Sequence, residues 1–312
     1  NLEVSTDLDK CSSLINYDIP AASDNCTGNS GGDNVLLIWD VLNANTTALQ
    51  NALINDGLNV TLSTTSETAY NGTNPALDDF DAVIHLNGTT YSTAMPITGQ
   101  QALVDFVIQD GGTYITEEWS AYEIDSRNTM TLMSDIVVLK RNRGITGSYT
   151  YNVVSSEMNH QLLVDIPASF TLPNGGSNVG VSRQYSVNPS KVLMTANSVG
   201  DAVVVRDFDN GGAAIGFAHA GNYNNSTILS NINVQQLYIN SVKYASGGGV
   251  NIVQTEGLPS GSEFPLGITT NTFVATAEVV TYFNAKPVLC DIEYETHNID
   301  VDKRESLITH KT

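Results

Sequence analysis

The chain has 312 residues, 41% of them hydrophobic, which is enough for a sizeable core and for two domains. Its 33 acidic residues against 13 basic ones give a net charge of −20, a field that repels nucleic acid and anionic lipid and so excludes them as partners. No apolar run reaches the roughly 18 residues that a membrane-spanning helix needs, so we expect no membrane insertion. We interpret the acidic balance as a solubility feature of a secreted protein.

The first thirty residues alternate apolar and polar positions, as at Leu14 and Tyr17, which is typical of short β-strands. Cys11 and Cys26 lie in this segment, where a disulfide would stabilise a small β-unit. We predict this disulfide, with Cys290 as a free buried thiol. Cysteine positions alone leave the other pairings open.

After a glycine-rich junction at residues 28–33, the pattern changes to that of an α/β domain. Continuous apolar runs predict strands buried on both faces, and apolar positions at helical spacing predict helices between them. The predicted order is strand 34–40, helix 45–57, strand 58–64, strand 80–88, helix 99–112 and strand 113–119. Helical crossovers between buried strands predict a parallel sheet.

Residues 120–200 carry weaker signals, from which we predict short strands in a side layer. The words "DAVVVRDF" and "GGAAIGFAHAG" predict a strand pair around residues 209–212, and residues 228–246 predict a closing helix. A second glycine hinge follows at residues 247–249, after which strand-like alternation returns.

This order predicts an α/β domain inserted into a β-module. The β-module comprises residues 1–30 and 249–276, and the α/β domain comprises residues 31–248. Insertion is tolerated where the termini of the inserted domain lie close together. Residues 273–312 form a separate segment, since they hold four of the 13 basic residues.

The two β pieces resemble a hyalin (HYR) repeat. The resemblance rests on "INYDIPAASDNC" and on "GLPSGSEFPLGITTNTFVAT". It implies an immunoglobulin-like β-sandwich and an extracellular location. In the family the two motifs follow each other directly, whereas here the α/β block lies between them.

The α/β block resembles the class I glutamine amidotransferase-like and ThuA-like group, through "NVLLIWD", "QQALVDFVIQDGGTYI" and "AAIGFAHAGNY". The resemblance implies a flavodoxin-like, doubly wound parallel sheet. Active amidotransferases of the group place a cysteine after the strand that ends here at "TYITEEW", where this chain has Glu117, Glu118 and Trp119. The family's late histidine corresponds to His219. Without the thiol, acyl transfer by that route has no nucleophile.

The tail from Thr272 onward resembles the DegT/DnrJ/EryC1 sugar aminotransferases. Those enzymes hold pyridoxal phosphate on a lysine supported by an acidic residue, and neither motif has a counterpart here. We therefore expect no cofactor. The word "TNTFVAT" fits both this family and the hyalin repeat, which leads us to interpret the chain as a chimera joined there.

His219, Glu117 and Glu118 are the candidate catalytic residues, because they follow strands of the predicted sheet. Glu117 and Glu118 suit acid–base catalysis, or cation binding together with Asp40. His85 lies within an apolar run and is expected to be a core residue. We predict no metal site.

These observations lead us to expect a non-catalytic binding or adhesion module of an extracellular, bacterial surface or secreted protein, with a glycan or a protein as partner. The alternative is a hydrolase or lyase of the ThuA-like group that uses His219 with Glu117 or Glu118.

Overall fold

The computed structural model describes residues 4–5, 10–15, 17, 34–144, 147–173, 178–197, 200–223, 227–246 and 252–275. Outside these residues lie Cys26, Cys290, both predicted glycine hinges and most of the tail 273–312. The chain forms two compact units. One is Asp24–Gly249, and the other combines Asn1–Ser23 with Val250–Thr312.

The described residues form fifteen strands and four α-helices. In chain order the strands are β1 (Ser12–Ile15), β2 (Asn34–Ile38), β3 (Asn59–Leu62), β4 (Ala82–His85), β5 (Thr113–Thr116), β6 (Leu139–Gly144), β7 (Tyr149–Val153), β8 (Ser169–Leu172), β9 (Asn178–Ser182), β10 (Lys191–Ala196), β11 (Gly200–Asp207), β12 (Ala213–Phe217), β13 (Ile252–Glu256), β14 (Ser262–Pro265) and β15 (Thr272–Ala275). The helices are α1 (Ala44–Asn55), α2 (Ile97–Ile108), α3 (Glu118–Asp125) and α4 (Ile232–Ser246). None of these helices is long and apolar enough to cross a membrane.

The unit built from the two chain ends contains two antiparallel strand pairs among its described residues. Strand β1 pairs with β14, and β13 pairs with β15. The hydroxyl of Tyr17 donates to the carbonyl of Leu258, and its ring packs edge-on against Phe264. Two separate pairs are not the seven-stranded sandwich that the hyalin resemblance implies, so the expected immunoglobulin-like fold finds no support.

Cys11 is exposed at the start of this unit. Its expected partner Cys26 lies outside the described residues, so the disulfide stays a prediction.

The larger unit is built on one sheet with the order β3-β2-β4-β5-β12-β11-β10-β7-β8. The first five strands in that order are parallel. Counted along the chain, these strands run second, first, third, fourth, fifth, which is the flavodoxin-like doubly wound order. In such sheets the order reverses between the first and third strands, here β2 and β4, and ligands bind outside the carboxyl ends there.

The parallel strands form because continuous apolar runs are buried on both faces. All residues of β4, β5 and β12 are buried, as are Val35–Ile38 of β2. The side chain of Asn43 caps α1 by accepting hydrogen bonds from the N–H groups of Asn45 and Thr46. The apolar pattern therefore sets a parallel sheet whose loops carry the polar groups.

The segment between residues 120 and 200 differs from its prediction. Strands β10, β7 and β8 extend the main sheet in antiparallel fashion, instead of forming a separate side layer. Strand β9 branches from β11 and pairs with β6. The strand pair predicted around residues 209–212 is present as β11 and β12. Strand β5 ends at Thr116, and the predicted "EEW" continuation begins α3.

Candidate functional site

Polar side chains gather where the parallel strands end. Asp40 follows β2, Asn87 follows β4, Glu117 follows β5 and His219 follows β12. All four are buried, although the loops that carry them lie at the end of the sheet. Since the carboxyl ends of parallel strands meet at one edge, this edge is the place where a doubly wound fold binds its ligand.

Asp40 joins three of these loops. One carboxylate oxygen accepts from the N–H groups of Gly88 and Thr89, at 3.0 and 2.7 Å. The other accepts from the N–H of Val41 and from Nδ2 of Asn222, both at 2.8 Å. With both oxygens in use, Asp40 holds the loops after β2, β4 and β12 together.

Two glycines permit the close approach of these loops. A Cβ on Gly88 would meet the backbone of Asn222 and Tyr223 at 2.8 Å, so only glycine fits there. A Cβ on Gly221 would collide with Oε2 of Glu117 and would have to displace that carboxyl group. The glycine in the "AGN" after His219 therefore lets the loop after β12 lie close to Glu117.

Glu117 is the last residue before α3, and its carboxyl group is buried. Its Oε2 accepts from the N–H of Gly221 at 2.9 Å and from the hydroxyl of Tyr238 at 3.4 Å. Burial, reinforced by the charge of Asp40, raises the pKa of Glu117 to about 8, against the opposing effect of the N–H groups of Gly221 and Asn87 and of the Tyr238 hydroxyl. Glu117 therefore keeps its proton at neutral pH.

His219 is buried among aromatic side chains. Its Nε2 lies 3.2 Å from the hydroxyl of Tyr238, its Nδ1 lies 3.3 Å from that of Tyr151, and its ring stacks on Phe217 at 5.1 Å. One neutral tautomer satisfies both contacts, with Nε2–H donating to Tyr238 and Nδ1 accepting from Tyr151. Burial lowers the pKa of His219 to about 3. The imidazole is therefore neutral at physiological pH.

Of the three predicted catalytic residues, Glu117 and His219 come together through Tyr238, whose hydroxyl contacts both. Glu118 does not join them. Its Oε1 lies 3.5 Å from Nε of Arg141 on β6, and its backbone N–H donates to the carbonyl of His219. This ion pair ties the start of α3 to β6.

A second group of buried polar residues was not predicted as a site. It comprises Glu67, His85, Asn87 and Glu123, hereafter the buried polar cluster, and all four are fully buried. His85 is buried as expected, with Nδ1 2.7 Å from the hydroxyl of Tyr114 and Nε2 3.6 Å from Oε2 of Glu67. Glu123 accepts from the hydroxyl of Thr129 at 2.9 Å. Burial, with the charge of Glu67, raises the pKa of Glu123, and the Asn87 amide favours its charged form.

Several polar atoms of this cluster, and one of Glu117, lack hydrogen-bond partners within the part of the chain that the structure describes. Among the described residues, neither carboxylate oxygen of Glu67, neither polar atom of the Asn87 side chain, nor Oε1 of Glu117 or Glu123 makes a hydrogen bond of normal geometry. Buried polar atoms in folded proteins are almost always paired, so unpaired ones gathered in one place need an explanation. A binding site for a polar ligand supplies one.

Four aromatic side chains from the same loops form a second cluster. Tyr91 follows β4, Trp119 and Tyr122 belong to α3, and Tyr223 follows β12. The Trp119 ring lies 4.6 Å from Tyr91, 5.0 Å from Tyr122 and 4.4 Å from Tyr223, centroid to centroid. The tyrosines are partly exposed, so this aromatic cluster offers ring faces at the rim.

Within the described residues, no three histidine, cysteine, aspartate or glutamate side chains are grouped so that they could hold a metal ion.

The sequence signals for the missed residues differ. Asn87 and Tyr91 follow a predicted strand at the carboxyl edge, so position alone could have found them. Glu67 lies in a short 3₁₀ turn after β3. Glu123 lies inside α3, whose start the sequence predicts as the end of a strand and whose remainder carries only weak signals. Nothing in the local pattern pointed to either.

The DegT/DnrJ/EryC1/StrS aminotransferase family model matches residues 266–312. This match covers the tail and less than half of the chain, so it does not show the family of the whole protein. It agrees with the resemblance found for that segment. No curated protein matches the chain.

The solved structures that resemble the chain include two ThuA-like proteins. A ThuA-like protein from Parabacteroides merdae shares 15% identity, with a TM-score of 0.50 over 73% of this chain and 95% of that one. A ThuA-like protein from Bacteroides uniformis also shares 15% identity, with a TM-score of 0.49 over 72% and 95%. The former, with the strand order, shows a ThuA-like, flavodoxin-like α/β fold.

These findings correct the functional expectation. The prediction of a non-catalytic adhesion module is wrong, because the α/β unit has a ThuA-like fold and nothing in the described residues supports adhesion. The hyalin-repeat resemblance on which that prediction relied has no support from the comparisons.

Proposed function

We propose that this protein is a hydrolase or lyase that uses Glu117 as its general acid, with His219 as a positioning residue. The observation that carries the proposal is the buried carboxyl group of Glu117 at the carboxyl edge of a doubly wound sheet, held by the Gly221 N–H and the Tyr238 hydroxyl. This burial raises its pKa to about 8. A pKa near the working pH is what a general acid requires.

His219 acts through Tyr238 in this proposal. The Tyr238 hydroxyl contacts both Nε2 of His219 and Oε2 of Glu117, so the imidazole fixes the hydroxyl that holds the carboxyl group. A neutral imidazole with both nitrogens engaged suits positioning better than proton transfer.

In hydrolysis, the scissile C–O bond breaks and the departing oxygen takes the Glu117 proton. Water supplies the hydroxyl to carbon and returns a proton to Glu117. The aromatic cluster and the unpaired acceptor oxygens favour a polyhydroxylated substrate such as a sugar, whose ring faces pack on aromatic side chains and whose hydroxyls donate hydrogen bonds. Secretion of the chain stays a prediction.

Pyridoxal phosphate enters no step of this proposal. Of the segment that resembles aminotransferases, only residues 266–275 are among those described, and its lysines lie beyond them.

The proposal is tested on chromogenic aryl glycosides for hydrolysis and on uronate-containing polysaccharides for lyase activity. We expect wild-type turnover, reduced by about 10²–10⁴-fold in Glu117→Gln, which keeps the shape but has no acidic proton. The neighbouring Glu118→Gln is the matched control and should stay within about threefold of wild type, with folding checked by thermal unfolding. Turnover that survives Glu117→Gln, or a panel without any turnover, contradicts the proposal.

A further inference from the structure

The carboxyl edge of the sheet holds buried carboxyl groups without basic partners. Within the described part of the chain, no lysine or arginine forms an ion pair with Asp40, Glu67, Glu117 or Glu123, and His85 Nε2 lies 3.6 Å from Oε2 of Glu67. An unpaired buried charge is costly, and removing its partner from such a pair is strongly destabilising. This arrangement is therefore suited to a positive group that comes with a ligand.

The unpaired atoms are mostly acceptors. They include both oxygens of Glu67, Oε1 of Glu123 and Oδ1 of Asn87, all in fully buried side chains. Glu67 lies 3.6 Å from Nε2 of His85, and Asn87 follows His85 by two residues at the end of β4. The charge of Glu67 and the Asn87 amide both act on Glu123, in agreement with this proximity. A neutral hydroxyl brings one donor and two acceptors, which leaves this surplus uncorrected, whereas an ammonium group brings three donors and no acceptor.

We propose that Glu67, Glu123 and Asn87 bind a primary ammonium group, so that the ligand at this edge of the sheet is an amine such as an amino sugar. The proposal rests on the proposed function in that it takes the edge that holds Glu117 as the substrate site.

The aromatic cluster supports the same ligand. Trp119, Tyr122 and Glu123 lie on α3 at spacings of three and four residues, which places them on one side of the helix. The Trp119 indole N–H is buried and makes no hydrogen bond within the described residues. Ring faces of tryptophan and tyrosine attract organic cations, and carboxylates beside aromatic rings are a common setting for ammonium recognition.

A divalent metal ion is the rival occupant. The described residues contain no group of three metal-ligating side chains, and metal ions take several such ligands at once. An ammonium group needs only three acceptors, and the two carboxylates of Glu67 and Glu123 with the amide oxygen of Asn87 can supply them. The geometry therefore favours an ammonium group over a metal ion.

The test measures ligand binding to the full chain by isothermal titration calorimetry. The probes are glucosamine, galactosamine and mannosamine, each matched with its neutral parent sugar, and the chloride salts of magnesium, calcium and manganese. We expect at least one amino sugar to bind at least about tenfold more tightly than its parent.

Glu67→Gln and Glu123→Gln should each weaken amino-sugar binding by at least about tenfold and weaken parent-sugar binding much less. Glu157→Gln, which removes a carboxylate paired with Lys191 on the surface, is the matched control and should change neither. The wild-type comparison keeps the test decisive if one variant fails to fold.

Equal affinity for amino sugars and their parents overturns the ammonium proposal and leaves the role of Glu117 standing. Binding of a metal salt alone, lost in Glu67→Gln, overturns it in favour of a cation site. Absence of any sugar binding overturns it as well, and the turnover assay with Glu117→Gln then decides the proposed function separately.

Discussion

The two edges of the main sheet both bury ionisable side chains, but the hydrogen bonding of these side chains differs. At the amino edge, the guanidinium of Arg206 donates to the carbonyls of Asn188, Asp135 and Val187 and stacks over the Tyr185 ring at 3.5 Å. At the carboxyl edge, Glu67 makes no hydrogen bond with any described residue. A buried charge whose contacts are complete stabilises the fold, whereas one whose contacts are incomplete indicates a place where something binds.

A cavity at the amino edge shows the same contrast. A cavity of about 360 Å³ lies beside Arg206, lined by Phe208, Asp209 and Asn210 among others. Its most buried polar group already has protein partners, so the cavity gives a ligand little to satisfy. The carboxyl edge offers acceptors from three loops, which is why the functional site is assigned there.

The largest expected effect on stability comes from breaking the amino edge. Arg206→Ala should lower the free energy of unfolding by about 3 kcal/mol, because three carbonyls lose their donor and two rings lose their cation. Urea unfolding followed by circular dichroism measures this. The exposed Arg127→Ala is the control and should change stability by less than about 0.5 kcal/mol. Equal losses in both variants would remove the contrast between the edges.

The carboxyl edge should show itself in the pH dependence of stability. The pKa of Glu117 is about 8 in the folded chain against 4.5 ordinarily, so its stabilisation is complete below pH 4.5 and is lost as pH rises through 8. The pKa of His219 is about 3 against 6.5, so its contribution is complete above pH 6.5 and is lost as pH falls through 3. The two effects offset each other between pH 4.5 and 6.5.

Stability should therefore fall by about 2 kcal/mol between pH 6.5 and 8, where Glu117 acts without His219. The raised pKa of Glu123 acts in the same direction, because it also makes stability fall as pH rises. Urea unfolding at pH 5, 6.5 and 8 measures it, and Glu117→Gln should flatten the profile. A wild-type stability that rises over this range contradicts the assignment.

The link between His219 and Glu117 is tested by Tyr238→Phe. This change removes the hydroxyl that contacts both residues, so we expect a stability loss of about 1 kcal/mol and a higher pKa for Glu117, since that hydroxyl favours its charged form. The raised pKa of Glu117 is visible as a displacement of the pH–rate profile to higher pH. An unchanged profile would show that Tyr238 does not position Glu117.

The smallest expected effect, with the opposite sign, is at Glu67. Glu67→Met replaces a buried carboxyl group without hydrogen bonds by an apolar side chain of similar length, so stability should stay the same or rise by up to about 1 kcal/mol. Thermal unfolding at pH 7 measures it. A loss as large as that of Arg206→Ala would make Glu67 a structural residue.

Much of the α/β domain could be predicted from the sequence, because burial on both faces leaves an unbroken apolar run. The run at 34–40 became β2, and the helical spacing at 99–112 became α2. The sequence predicts a side layer for the runs that form β7, β9 and β10, because short alternating runs do not specify which strands they pair with. The hyalin resemblance led to the expectation of an immunoglobulin-like sandwich that finds no support, because short turn-rich motifs determine neither the number of strands nor their order.

The site was half predictable for a similar reason. Glu117 and His219 follow strands that the pattern located, so the edge of the sheet could be inferred. The ion pair of Glu118 with Arg141 depends on β6, whose place was not predicted. Glu67 and Glu123 reach the edge only through tertiary packing, which one sequence does not reveal.

The most direct test of the central claim is the titration of the Glu117 carboxyl group itself. Carbon-13 NMR of the full chain with labelled glutamate side chains follows each carboxyl carbon from pH 4 to 10, and Glu117→Gln identifies the Glu117 signal. The account predicts a midpoint near pH 8. A Glu117 midpoint at the ordinary glutamate value of 4.5 would leave the chain without its general acid and would contradict it.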